Sequence, residues 1–91
     1  MREEAERRPL APEEISRLRE LLRRRERELE EESPESGVLG EIREALSRMA
    51  RGEYGRCVDC GRWIRLRRLE TIPWAKRCRS CQERWEMLEA V

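Results

Sequence analysis

Cysteine occurs four times in this 91-residue chain, as two C-x-x-C pairs, Cys57 with Cys60 and Cys78 with Cys81, separated by seventeen residues. That spacing predicts one tetrahedral zinc site. Each C-x-x-C turn presents two thiolates to the same side of an ion bound at about 2.3 Å, and the gap lies in the range read as zinc-binding. No histidine is present to compete as a ligand. A disulfide inside a C-x-x-C turn is strained; a redox dithiol and an iron–sulfur site are the remaining alternatives for this pattern.

The metal matters because the rest of the chain offers a thin core. Only 37% of residues are apolar, none is Phe, and 45% are charged. A single small domain of this kind is usually supplemented by a metal whose binding energy becomes folding energy. No apolar run is long enough for a membrane span or a signal-peptide core. Four unbridged thiols then point to a reducing, cytoplasmic compartment. The formal charge of +1 counts the thiols as neutral. Four thiolates on one Zn2+ add −2 and bring the loaded protein to −1. Such a balance argues against a protein that coats nucleic acid, because non-specific DNA affinity comes from uncompensated Lys and Arg. Lys76 is the sole lysine, an arginine bias typical of GC-rich or heat-adapted prokaryotes.

Residues 1–11, with Pro9 and no apolar period, read as a flexible charged arm. Pro12, Glu13 and Glu14 suit the first turn of a helix. Ile15, Leu18, Leu22 and Leu29 then form a narrow apolar seam, widened by Leu21 and interrupted by Arg25. The seam stops at residues 31–37, where Ser33 or Ser36 can cap a second helix carrying Leu39, Ile42, Leu46 and Met49 and ending near Gly52. Residues 12–52 thus predict an antiparallel helical hairpin, a short coiled coil. Residues 53–91 predict a small four-cysteine ribbon with a short hairpin of strands around Trp63, Ile64 and Leu66. A C-terminal helix through Cys81, Trp85 and Leu88 should pack back on the hairpin. The fold class is α+β, mostly α, with both parts forming one structural unit.

Four thiolates leave no open metal position, and no histidine or nucleophile–base pair exists, so the chain does not read as an enzyme. Trp63, Trp74 and Trp85 read first as core. A base-stacking surface beside Arg65, Arg67 and Arg68 is the sharper alternative, and it would make the module a nucleic-acid-binding ribbon. A thiol and zinc redox sensor is a third reading. At the hairpin turn Glu31, Glu32 and Glu35 make an acidic tip above an arginine-rich stem.

Gly52-Glu53-Tyr54-Gly55-x-Cys57-x-x-Cys60-Gly61-x-x-Ile64, followed by Arg68-Leu69-Glu70-x-Ile72-Pro73-x-Ala75-x-x-Cys78-x-x-Cys81-Gln82, resembles the DksA/TraR family of bacterial RNA-polymerase-binding proteins. The resemblance spans about residues 42–86. It implies a monomeric transcription regulator that docks beside the polymerase secondary channel, inserts its hairpin toward the active site and does not read DNA sequence. Zinc would be purely structural, and Glu31, Glu32 and Glu35 would be the tip residues by position. The chain departs from the family's longer members in its shorter arms and in lacking an Asp-x-x-Asp-x-Ala tip. The N-terminal Glu3, Glu4 and Glu6 offer acidic charge as in short members. Basic positions used for the alarmone guanosine tetraphosphate fall on Glu41, Ile72 and Gln82, none of them basic, so alarmone binding is not expected.

Overall fold

A computed structural model of the chain describes residues 7–89. Among the described residues four helices carry the fold: α1 (Pro12–Glu32), α2 (Gly37–Ala50), α3 (Leu66–Thr71) and α4 (Arg79–Glu89). Proline opens α1 with Glu13 and Glu14 in its first turn. Ala11 at the N-cap has no side-chain oxygen, so this end is closed from the other direction. The Ala11 amide donates to Glu14 Oε1 at 2.8 Å, and Arg8 donates to both oxygens of the same carboxylate at 2.8 and 2.9 Å. The bond from Arg8, reinforced by that from the Ala11 amide, holds the Glu14 carboxyl down at about 2. Of the two possible starts for the second helix, Ser36 is the one used: its hydroxyl accepts from the Val38 amide at 3.2 Å. At the far end the amides of Gly52 and Glu53 donate back to the carbonyls of Met49 and Arg48. This pair of bonds needs a left-handed residue at Gly52, whose φ is 72°.

The hairpin buries Leu18, Leu22 and Leu29 of α1 against Leu39, Ile42, Ala45 and Met49 of α2. These side chains each contribute about 1.5–3 kcal/mol by leaving water, Ala45 less. Leu46, expected on the seam, is half-buried while Ala45 takes the inner position, and Leu21 stays 38% exposed. Arg25 falls on the seam's spacing but turns out to solvent and pairs with Glu28 at 3.1 Å. Across the outside of the hairpin Arg43 of α2 joins Glu30 and Glu26 of α1 at 2.6 and 3.3 Å. The arms are unequal, 21 and 14 residues, or about 31 and 21 Å.

Below the hairpin the core continues through Tyr54, Ile64, Leu69 and Ala75, with Leu10, Leu66, Ile72 and Trp74 packed on its edge. The Tyr54 hydroxyl donates to the Pro73 carbonyl at 2.7 Å, and burial drives its ionisation up.

Several expectations change here. The hairpin of strands reduces to one antiparallel bridge between Arg56 and Trp63, and no strand is present among the described residues. Leu66–Thr71, with Leu66 and Leu69 three apart, forms the helix α3 instead. The charged arm divides: residues 1–6 lie outside the described residues, while Arg8 is tied to Glu14 and Leu10 packs beside Gly55 and Trp63. On α4 only Cys81 is buried, and Trp85, Met87 and Leu88 are exposed. The helix therefore does not close over the hairpin with an apolar face. None of the three tryptophans is fully buried, because aliphatic side chains fill the centre of the core. Trp63 and Trp85 instead carry the guanidinium groups of Arg56 and Arg77 on their rings, 4.9 and 4.8 Å from the centroids.

Candidate metal centre

Two turns supply the sulfurs. In the first, the Gly61 amide donates to the Cys57 carbonyl at 3.0 Å and the Cys57 amide to the Arg62 carbonyl at 2.8 Å. Gly61 carries a φ of 76°, a conformation that side chains resist, so glycine is what lets the chain fold back after Cys60. In the second, Cys78 immediately precedes α4 and its carbonyl accepts from the Gln82 amide at 2.9 Å. Cys81 then sits in the first turn of α4, where the positive end of the helix favours thiolate. The two turns are latched together. The Val58 amide donates to the Lys76 carbonyl at 2.9 Å, and Arg77 Nε donates to Asp59 at 2.7 Å. Arg68 Nε in turn reaches the Arg77 carbonyl at 3.0 Å.

The four sulfurs all lie within 4.8 Å of one another, and Cys60 and Cys78 are 3.9 Å apart. A regular tetrahedron of sulfurs at zinc's bond length has edges of about 3.8 Å, whereas a disulfide would draw a pair to about 2 Å. The donor set therefore fits zinc. Cys57, Cys78 and Cys81 are buried, and Cys60 is at the surface.

Without an ion, the Cys57 and Cys81 thiols move in opposite directions. Burial pushes Cys57 up, but the amides of Cys60, Cys78 and Asp59, with the Cys60 side chain, outweigh it and bring Cys57 down to about 6. Hydrogen bonding to Cys78, then burial, then Cys57 and Cys60, push Cys81 up to about 12. A divalent cation reverses that last effect, since a coordinated thiol is deprotonated outright.

The other residues singled out in the sequence fall in three places. Glu31, Glu32 and Glu35 stand together and exposed at the hairpin tip. Glu30 is held by Arg43 and Glu28 by Arg25, and Glu35 takes a 3.4 Å hydrogen bond from Ser33. Among the described residues no ion pair or hydrogen bond involves the side chain of Glu31 or Glu32. Both sit in the last turn of α1, which contains no basic residue. Acidic charge at a helix C-terminus opposes the helix dipole. Arg65, Arg67 and Arg68 lie together at and just before α3, far along the chain from the tip. Glu41, Ile72 and Gln82 meet in one cavity of about 380 Å³, with Glu83 and Glu86 beside them. The pair that locks the turns, Asp59 and Arg77, was missed in the sequence; only the position of Asp59 inside the first C-x-x-C hinted at such a role.

Comparison with known proteins agrees with this geometry. Residues 52–86 match the model of the prokaryotic dksA/traR C4-type zinc finger. An uncharacterized protein of Aquifex aeolicus (strain VF5) is 42% identical over 52 residues, which are 57% of this chain and 36% of that protein's length. This chain thus spans little more than a third of that relative. Among solved structures, the RNA polymerase binding protein and transcriptional regulator Dks of Chlamydia trachomatis L2 superposes with a TM-score of 0.79 at 30% identity, covering 92% of this chain and all of that one. Transcription factor DksA2 of Pseudomonas aeruginosa gives 0.72 at 29% identity, with 88% of each chain covered. The match takes in the hairpin as well as the finger. With four cysteines placed for a single zinc ion inside a fold shared from α1 to α4, the chain belongs to the DksA/TraR C4-type zinc finger family.

Proposed function

We propose that this chain is a transcription regulator that binds RNA polymerase directly, beside the secondary channel, and presents its hairpin tip to the enzyme. The observation that carries this reading is the fold shared over 92% of the chain with a protein described as RNA polymerase binding. The tip supports it. Among the described residues Glu31 and Glu32 have no ion-pair or hydrogen-bond partner, and they are placed where they disfavour their own helix. A charge kept at a cost to stability points to use elsewhere.

Zinc is structural in this reading. Four thiolates complete the tetrahedron and leave no position for water or substrate, so the ion fixes α4 and the turns beneath the hairpin and catalyses nothing. No helix among the described residues is long and apolar enough to cross a membrane. The protein works in the cytoplasm, as a monomer, without sequence-specific DNA contacts. Guanosine tetraphosphate is not a ligand of the Glu41, Ile72 and Gln82 cavity, where Glu41, Glu83 and Glu86 balance Arg68, Lys76 and Arg79.

The test is in vitro transcription with Glu31→Lys/Glu32→Lys/Glu35→Lys beside the parent. The triple variant should keep polymerase binding and lose its effect on promoter-complex lifetime. An unchanged effect would remove the tip from the mechanism.

A further inference from the structure

Six arginines lie on α1, and two of them have partners: Arg17 pairs with Glu70 and Arg25 with Glu28. Among the described residues no ion pair or hydrogen bond involves the side chains of Arg19, Arg23, Arg24 or Arg27. At about 3.6 residues per turn, steps of four put Arg19, Arg23 and Arg27 in one stripe about 12 Å long, with Arg24 beside it. Arg23, Arg24 and Arg27 are exposed, and Arg19 is half-buried. The acids nearby do little to neutralise them. Glu26 and Glu30 hold Arg43 of α2, and Glu20 alone stands unpaired within the stretch, so four positive charges less one leave a net of three. Like charges four apart on a helix repel, so the spacing of Arg19, Arg23 and Arg27 works against α1 itself.

We propose that this stripe on the hairpin shaft binds single-stranded RNA through its phosphates. Guanidinium forks match phosphate oxygens bidentately, and a row of them follows a phosphodiester strand. No aromatic side chain stands on α1 to stack a base, so the contact is to the backbone alone and reads no sequence. An acidic protein surface fits less well. Ser16 and Glu20, which share the face with the arginines, are polar, and a protein interface needs a buried apolar or aromatic anchor that phosphate binding does not. A duplex fits less well for another reason. Glu13 and Glu14 stand before the stripe and Glu28 to Glu32 beyond it, so a rod laid along α1 brings its phosphates against carboxylates. A flexible single strand crosses the arginines and leaves. RNA as the strand, in place of DNA, rests on the proposed docking to RNA polymerase, whose product is RNA.

The experiment is fluorescence anisotropy of labelled decauridylate titrated with the zinc-loaded full chain. Unlabelled decauridylate, decathymidylate and a ten-residue oligoglutamate serve as competitors. Three net charges on a single strand give a log–log salt slope of about −2, so Kd should rise about thirtyfold from about 20 to about 100 mM salt. Arg23→Gln/Arg27→Gln should leave a slope of about −0.7, a rise of only about threefold over that range. Arg23→Lys/Arg27→Lys keeps the charge and should keep the slope. Arg84→Gln on α4, away from the stripe, should change nothing. If the double glutamine variant loses helicity, Arg24→Gln carries the test, with a slope shallower by about 0.7. No binding at millimolar protein, an unchanged slope in the glutamine variants, or equal losses with Arg84→Gln would overturn the site. Oligoglutamate competing better than decauridylate would overturn the ligand class and give the stripe to an acidic protein. Equal competition by decathymidylate is the result that phosphate contacts predict; stronger competition would overturn RNA as the strand. Polymerase is absent from the titration, so a failure here leaves the docking untouched, and a failure of the docking leaves the titration standing.

Discussion

Cys78 stands where two demands meet: its sulfur lies 3.9 Å from Cys60, and its carbonyl accepts the Gln82 amide in the first turn of α4. Serine keeps that backbone bond but removes the ligand, and with the ligand goes the ion that anchors the start of α4. Cys78→Ser should therefore bind no zinc by metal analysis and lose its near-ultraviolet circular dichroism. A metal-free variant with an unchanged spectrum would show that the finger folds without its ion. The scale of the effect follows from zinc-finger peptides, where the ion is worth about 10–16 kcal/mol. Glu14 makes a second residue-level case. Its carboxyl is held at about 2 against an ordinary 4.5 by Arg8 and the Ala11 amide. A lowered folded value means that its contribution to the α1 start is complete above 4.5 and disappears only as pH falls through about 2. Carboxyl NMR should find Glu14 still ionised at about pH 3. In Arg8→Ala the midpoint should move up toward the ordinary value. A midpoint near 4.5 in the parent would mean that the Arg8 pair does not persist in solution.

The helices differ in how openly the sequence announced them. Pro12, the 18–22–29 seam and Ser36 name α1 and α2 because each signal reports a local backbone need that nothing tertiary overrides. The four ligands were equally plain, since metal geometry admits few spacings. The short α3 was hidden: six residues hold too few turns to show a period, and the arginines around Leu66 and Leu69 mask the pair. Leu10 and the exposure of Trp85 were illegible for another reason. Both depend on which surface lies opposite, and residue spacing carries no record of that. Arg48 is a further case: it is 5% exposed on α2, with Nη1 on Glu44 at 3.2 Å and Nε and Nη2 without partners. A buried, partly satisfied charge is often replaced by an apolar group at no loss or a gain. Arg48→Met should leave stability unchanged or raise it by about 1 kcal/mol, a Tm shift of roughly 4–8 °C. A fall of similar size would show that Arg48 has partners in solution. At the tip, Glu31→Lys and Glu32→Lys should each stabilise α1 by about 0.3–1 kcal/mol in thermal melts while weakening the effect on transcription. Lower melting temperatures would mean that the acidic tip supports the fold.

At the scale of the whole molecule, a bundle of two unequal helices stands on a small metal-held base, within extents of 43 × 40 × 21 Å. The ion pair between Arg17 of α1 and Glu70 of α3, 2.9 Å long, ties hairpin to base at the surface. The apolar core runs without a break from Leu29 near the tip to Cys81 at the zinc site. Such a continuous core lets the base fix the direction in which the hairpin points, which is what the proposed docking at the secondary channel requires. The acidic tip at the end of α1 and the exposed Trp85 on α4 lie on different elements of this body, so a partner can be tested against each in turn. The most direct test of the central claim is binding of the zinc-loaded chain to RNA polymerase core, with and without a competitor that fills the secondary channel. The account predicts saturable binding that the competitor abolishes. Binding that persists beside the competitor, or none at micromolar concentrations, would contradict it.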